Sequence, residues 1–331
     1  MYTEEDLDAA VAAGVMTKEA AEAFKKYVAE QQHTFVEDEE RFRLVSGFND
    51  IFVVIASVLL LFSVIWLGAR ISPWAGPLAS AFIAWGLAEF FTRKRRMALP
   101  SIVLLIAFVG NVFYAVAYFL LDFMKFSGFT LVAGFVACAA AWLHWRRFHV
   151  PITIAAGFAA GVLAFIFFIF DNVPQSKEWP APIFFVMGLV IFFTALSWDA
   201  SDTKRETRRS DVAFWLHLLA APFLVHPVFL TLGIDGAVSV FQAGLVVLLY
   251  LGISLVSILI NRRALMVSSL GYVLYVFAKF LKETGTVEFG FSTTGFVVGA
   301  ALLLLSAFWH PCRRFVLGLL PGNLTQHFPS S

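Results

Sequence analysis

Charge is what this sequence has least of. Only 14% of its 331 residues are Asp, Glu, Lys or Arg, while 60% are hydrophobic and mean hydropathy is +0.81. A soluble domain carries about a quarter charged residues, and a single core in water cannot hide this much apolar surface. Cysteine is almost missing as well: Cys138 and Cys312 fall inside one apolar stretch and at the end of another, so no disulfide framework is implied. With 24 basic against 23 acidic residues, there is no cationic surplus for a nucleic acid to read. Catalytic signatures are lacking too. There is no GxSxG elbow, HExxH helix, P-loop or GxGxxG fingerprint, and no nucleophile–base or aspartate pair suited to an intramembrane protease. Neither a metal-ligand set nor a cofactor motif is present, and the reading is non-enzymatic.

What the chain has is length without charge. A membrane-crossing helix needs about 20 mainly apolar residues. Ten stretches qualify, at roughly 49–68, 74–91, 98–121, 128–145, 150–170, 181–198, 212–232, 236–260, 264–281 and 291–309. Every second turn carries arginines: Arg93–Arg96, Arg146–Arg147, Lys204–Arg209, Arg262–Arg263 and Arg313–Arg314. The alternate turns hold only Arg70, Lys125, Lys177, Lys279 and Lys282 of the 24 basic residues. Basic residues beside short loops stay on the cytoplasmic side, so both termini are expected there. Most tryptophans lie near span ends, where indoles favour the interface; Trp85 is the one well inside. The expected fold is an all-α polytopic bundle in the bacterial inner membrane, partnered first of all by the lipid bilayer. The amino terminus (MYTEEDLDAA) is acidic and polar, so a cleavable signal peptide is not expected.

The chain also matches itself. Gly110–Asp122 (GNVFYAVAYFLLD) and Gly271–Glu283 (GYVLYVFAKFLKE) are identical at 6 of 13 positions without a gap. GFTLVAGFV after the first copy resembles GFSTTGFV after the second. Spans one to four then repeat as spans seven to ten in the same orientation, giving a pseudo-twofold axis along the membrane normal. The expected divisions are a cytosolic head and entry helix at 1–47 and a first repeat at 48–146. A joining hairpin with its loop follows at 147–210, then a second repeat at 211–314 and an interfacial tail at 315–331.

Asn111, Tyr114 and Tyr118 share one helical stripe, and Tyr272, Tyr275 and Lys279 occupy the equivalent places in the second copy. Facing each other across the repeat, they would line a polar cleft. The plainer alternative gives Asn111 one interhelical hydrogen bond and leaves the tyrosines in the aromatic belt. Span seven holds Pro222 and Pro227, each of which frees a backbone carbonyl, so a kinked or broken helix is expected there. His217 and His226 flank the first proline on opposite faces, better suited to separate hydrogen bonds than to one metal. His144 and His149 bracket a basic turn and are expected at the headgroups, and Glu89 is placed to pair with Arg93 one turn on. Gly157 with Gly161, and Gly295 with Gly299, are GxxxG pairs that permit close helix packing.

Residues 1–30 read as a helical hairpin with Thr3 and Thr17 as caps, Gly14 as a stop, and an apolar face of Leu7, Val11, Val15, Phe24 and Tyr27. The hairpin LDAAVAAGVMTKEAAEAF followed by many apolar spans resembles a group of uncharacterised bacterial inner-membrane proteins. That resemblance implies a polytopic layout and no activity, cofactor or site residue. Two functions fit the whole: a carrier for a small or lipid-like substrate, or a scaffold that engages a protein partner through residues 1–45.

Overall fold

The computed structural model describes residues 7, 10–24, 48–124, 128–202, 207–232, 239–283, 296, 299–300, 303 and 307–318. Among these the chain is helical, with no strand. Its contacts divide it into two compact units, Met1–Arg43 and Leu44–Ser331.

In the first unit, residues 10–12 and 18–24 are helical. Gly14 makes the turn between them at φ +70°, a left-handed value natural to glycine, and Thr17 Oγ1 accepts the Ala20 N–H at 3.2 Å. Leu7 and Ala21 are buried, but Val15 is 81% exposed and Phe24 also faces out. The expected apolar face is therefore smaller than its pattern, because the turn at Gly14 carries Val15 away from the hairpin. Thr3 and Tyr27 lie outside the described residues.

The second unit runs α1 (Phe48–Gly68), α2 (Ala75–Ala88), α3 (Ala98–Phe119), α4 (Phe129–Phe148), α5 (Ile152–Asn172), α6 (Pro180–Ala200), α7 (Arg208–Thr231), α8 (Val240–Ile260), α9 (Ala264–Glu283) and α10 (Trp309–Gly318). Among the described residues seven helices, α1 and α3 to α8, are long and apolar enough to cross a membrane. The apolar core of α9, Leu265–Phe280, is shorter, and α2 reaches comparable length only through the wider π-turn Glu89–Lys94 that continues it. Most of the tenth apolar stretch and residues 319–331 lie outside the described residues.

Small side chains set the packing. Gly76, Ser80, Ala84 and Ala88 recur every fourth residue on the buried side of α2, and Ala133, Ala137 and Ala141 do so on α4. Such stripes let backbones approach closely where lipid offers no hydrophobic drive between helices. Neighbouring helices pair as α1–α2, α2–α3, α3–α4, α4–α5, α6–α7 and α8–α9, while α7 also packs on α5 and α9. α7 is the central helix: 56% of its most apolar window is buried, against 11% for α1.

Pro222 and Pro227 lie inside α7, yet the helix continues from Arg208 to Thr231 without a break. Of the two expected forms, kinked or broken, the helix is not broken. Gly188 of α6 sits so near α7 that a Cβ there would lie 2.9 Å from the Phe223 carbonyl carbon and 3.0 Å from the Leu224 nitrogen. The turn after Pro222 is thus held against an adjoining backbone.

Candidate functional site

The densest polar arrangement gathers where α6 ends, α7 begins and α8 turns into α9. Asp199 stands in the last turn of α6, where a carboxylate meets the negative end of the helix dipole and needs a cation. Arg262 supplies one. Its guanidinium donates to Asp199 Oδ1 at 2.6 Å and to Ser210 O and Oγ at 3.1 and 3.3 Å. His217, two and a half turns inside α7, puts Nε2 2.8 Å from Asp199 Oδ2, and an ionised carboxylate only accepts, so the ring donates. Asp199 is 5% exposed, Arg262 1% and His217 fully buried.

Local sequence explains how Arg262 gets inside. Asn261 ends α8 in the left-handed region at φ 56°, a conformation asparagine tolerates, and this turns the next side chain back under the bundle. Ser257 hydroxyl donates to the Arg262 carbonyl. Trp309 Nε1 donates to Asn261 Oδ1 at 2.8 Å, and the Arg263 guanidinium lies 5.0 Å from the Trp309 ring centre. Trp309 is 2% exposed, so this indole is a buried strut and not the interfacial one expected. Arg313, one helical turn beyond it, is fully buried as well.

The residues singled out from sequence are placed as follows. Asn111 is buried and its amide donates to Ser80 Oγ of α2 at 3.0 Å. Tyr114 and Tyr118 stack on each other with centres 6.1 Å apart and are 54% and 41% exposed. On α9, Tyr272 bonds His226 Nδ1 and stacks on Phe229, and Lys279 lies over the half-exposed Tyr275. His217 and His226 take separate partners, Asp199 on α6 and Tyr272 on α9. Gly157 and Gly161 of α5 face Ala141 and Cys138 of α4. Gly295 lies outside the described residues.

His144 corrects an expectation. It is fully buried among Trp85, Phe108 and Phe148, with Nδ1 3.3 Å from Thr153 Oγ1, and not at the headgroups. α4 runs on to Phe148, so residue 144 remains a turn inside and faces α2 and α3. His149 is exposed at the left-handed end of that helix. Glu89 does meet Arg93 at 3.4 Å, but its closer partner is Arg147 of α4, at 2.6 and 2.9 Å.

Sequence reasoning passed over Asp199 and Arg262 because both stand at span ends, where charges are ordinary. A signal existed. Asp199, His217 and Arg262 belong to the same end of successive spans, and an aspartate in the last turn of an apolar helix opposes its dipole. Among the described residues no group of three or more His, Cys, Asp or Glu side chains could hold a metal ion.

No family model matches the sequence, and neither a curated protein nor a solved structure is significantly similar to it.

Proposed function

We propose that this chain is a ten-span protein of a bacterial inner membrane, with both termini cytoplasmic, acting as a non-enzymatic carrier for a small or lipid-like substrate. The observation that supports it is the buried Asp199–Arg262–His217 knot. Ionisable groups cost several kcal/mol to bury in a membrane segment and mark pathways or moving parts when present. This knot ties α6, α7 and the α8–α9 turn at one face of the membrane. An ion pair between hydrogen-bonded groups can exchange partners or take water, which an apolar seal cannot, and alternating access requires a closure of that kind. The packing of α7 on α9 parallels that of α1 on α3, as a repeat of spans one to four as seven to ten requires, while among the described residues the α1–α2 packing has no comparable counterpart between α7 and α8.

The test uses single cysteines in a chain whose Cys138 and Cys312 are replaced by alanine. Ala221→Cys and Val225→Cys sit on buried positions of α7. For a carrier, a membrane-impermeant maleimide reaches them from one side only, and Asp199→Asn opens them to the cytoplasmic side. If neither position is labelled from either side, with or without Asp199, the carrier reading fails. The scaffold reading rests on the head forming a compact unit of its own. It requires a protein that co-purifies with the full chain and is lost on deleting residues 1–45.

A further inference from the structure

We propose that the α4–α7 face holds one anionic phospholipid, with its phosphate between Arg208 and Arg209 and one acyl chain in the groove between α4 and α5. The site would serve a carrier or a scaffold equally, so it stands apart from the reading above. α4 and α6 end on the same side of the bundle on which α5 and α7 begin, since the intervening helices are each long enough to cross. There, between the two turns, lies a cavity of about 400 Å3 lined by Trp145, Trp198, Ser201, Thr207, Arg208 and Arg209.

The polar lining is sorted by its bonds. Ser201 hydroxyl donates to the Trp198 carbonyl, and Thr207 hydroxyl donates to Asp202 Oδ2 while accepting the Arg209 N–H. Asp202 also accepts the Thr207 N–H at 2.9 Å, which fixes the start of α7. Both arginine side chains are exposed, and Asp211, further into α7, is not part of the lining. Two arginines and two tryptophans lining one cavity at a helix-end level form the kind of basic pocket that holds a phosphate headgroup.

A second cavity, of about 360 Å3 and almost purely apolar, lies in the seam of α4 and α5, and Cys138, Trp142, Thr153, Phe158 and Val162 help line it. Through Thr153 and Ile154, at the start of α5, the cavity reaches the side of the bundle that holds the basic cavity, and Trp142 is one turn from Trp145. Thr153 to Val162 spans nine residues, or about 13–14 Å at helical rise. Half of a hydrocarbon core of about 30 Å is close to that length, so the groove measures one leaflet. A soluble phosphate would use the arginines and leave the groove idle; a phospholipid uses both.

The full chain, purified in mild detergent, is titrated with phosphatidylglycerol or phosphatidylcholine and read by native mass spectrometry. Phosphatidylglycerol should bind as one tight copy, and Arg208→Gln with Arg209→Gln should weaken it by about 30-fold, while Arg95→Gln with Arg96→Gln leaves it unchanged. Val162→Trp, which fills the groove, should weaken it as well. In a Cys312→Ala chain the lipid should slow the reaction of Cys138 with an apolar maleimide. Equal binding of phosphatidylcholine, or equal loss from both arginine pairs, would overturn the site. So would displacement by inorganic phosphate together with indifference to Val162→Trp, which makes the ligand a free anion.

Discussion

Five basic clusters recur along this chain, and they divide by what surrounds their arginines. Arg93 to Arg96, Arg146 with Arg147, and Arg208 with Arg209 are exposed. In each of the last two pairs one arginine is swallowed: Arg262, in the α8–α9 turn, is 1% exposed, and Arg313, inside α10 and not in the turn expected there, is fully buried, while Arg314 remains outside. The same dipeptide therefore does two jobs. An exposed arginine keeps its hydration, so its contacts, such as that of Arg147 with Glu89, are optional. A buried guanidinium must instead be planar, forked and fully bonded, since its desolvation is repaid only by good geometry. Helix termination separates the two. Asn261 at φ 56° rotates Arg262 inward, whereas at the α2–α3 turn Arg96 itself takes the left-handed position, at φ 51°, and stays outside.

The largest effect should come from cutting the swallowed cation. Arg262→Gln leaves Asp199 buried without its ion-pair partner, and loss of one member of such a pair costs about 3–5 kcal/mol. Thermal unfolding in detergent should show a large fall in midpoint, with Asp199→Asn close behind. The double variant Asp199→Asn, Arg262→Met should recover most of the loss, because a matched neutral pair needs no desolvation. Arg95→Gln should leave the midpoint where it is. A large fall from Arg95→Gln, or none from Arg262→Gln, would erase the distinction between the turns.

Two buried histidines sharpen the same contrast. His217 donates to an ionised carboxylate, a class of hydrogen bond worth about 1.5–3 kcal/mol, so His217→Phe should cost that much. His144 has one 3.3 Å bond to Thr153, and its Nε2 has no hydrogen-bond partner among the described residues. His144→Phe keeps the ring in its aromatic box and removes a desolvated nitrogen, so it should be neutral or mildly stabilising. Equal penalties for the two would mean that burial, and not the charge at Asp199, sets the cost.

How legible was this beforehand? Apolar length and the missing charge were enough for an all-helical chain with many helices of membrane-crossing length, since those properties are read residue by residue. The knot was not, because it depends on which way three span ends face. Helical phase at a span end is decided by the last turn: a left-handed Asn261, a wider π-turn after Glu89, an α4 that continues to Phe148. The continuation of α4 is what carries His144 into the interior. The packing of α7 was no more legible, since the clamp on the turn after Pro222 comes from a glycine on another helix.

That clamp predicts the next effect in size. Gly188→Leu would push a side chain into the Phe223–Leu224 backbone, and overpacking of this sort costs about 1–3 kcal/mol. It should also part α6 from α7 and so lengthen the reach from Asp199 to His217. Combined with His217→Phe, the two losses should sum to less than their total, since both act on one contact. Strict additivity in the unfolding midpoints would separate the clamp from the knot.

The smallest effect belongs to the exposed counterpart of the knot. Glu89 takes Arg147 at 2.6 and 2.9 Å, a geometry as good as that of Asp199 with Arg262, yet both side chains keep about a third or more of their surface in contact with solvent. Water and ions already satisfy these charges when the pair is open, so closing it gains little. Glu89→Gln should therefore leave the unfolding midpoint indistinguishable from the parent chain, and raising salt should change neither protein. A marked loss would mean that the face where α2 meets α4 is drier than its exposure indicates, and that the first half of the chain has a knot of its own.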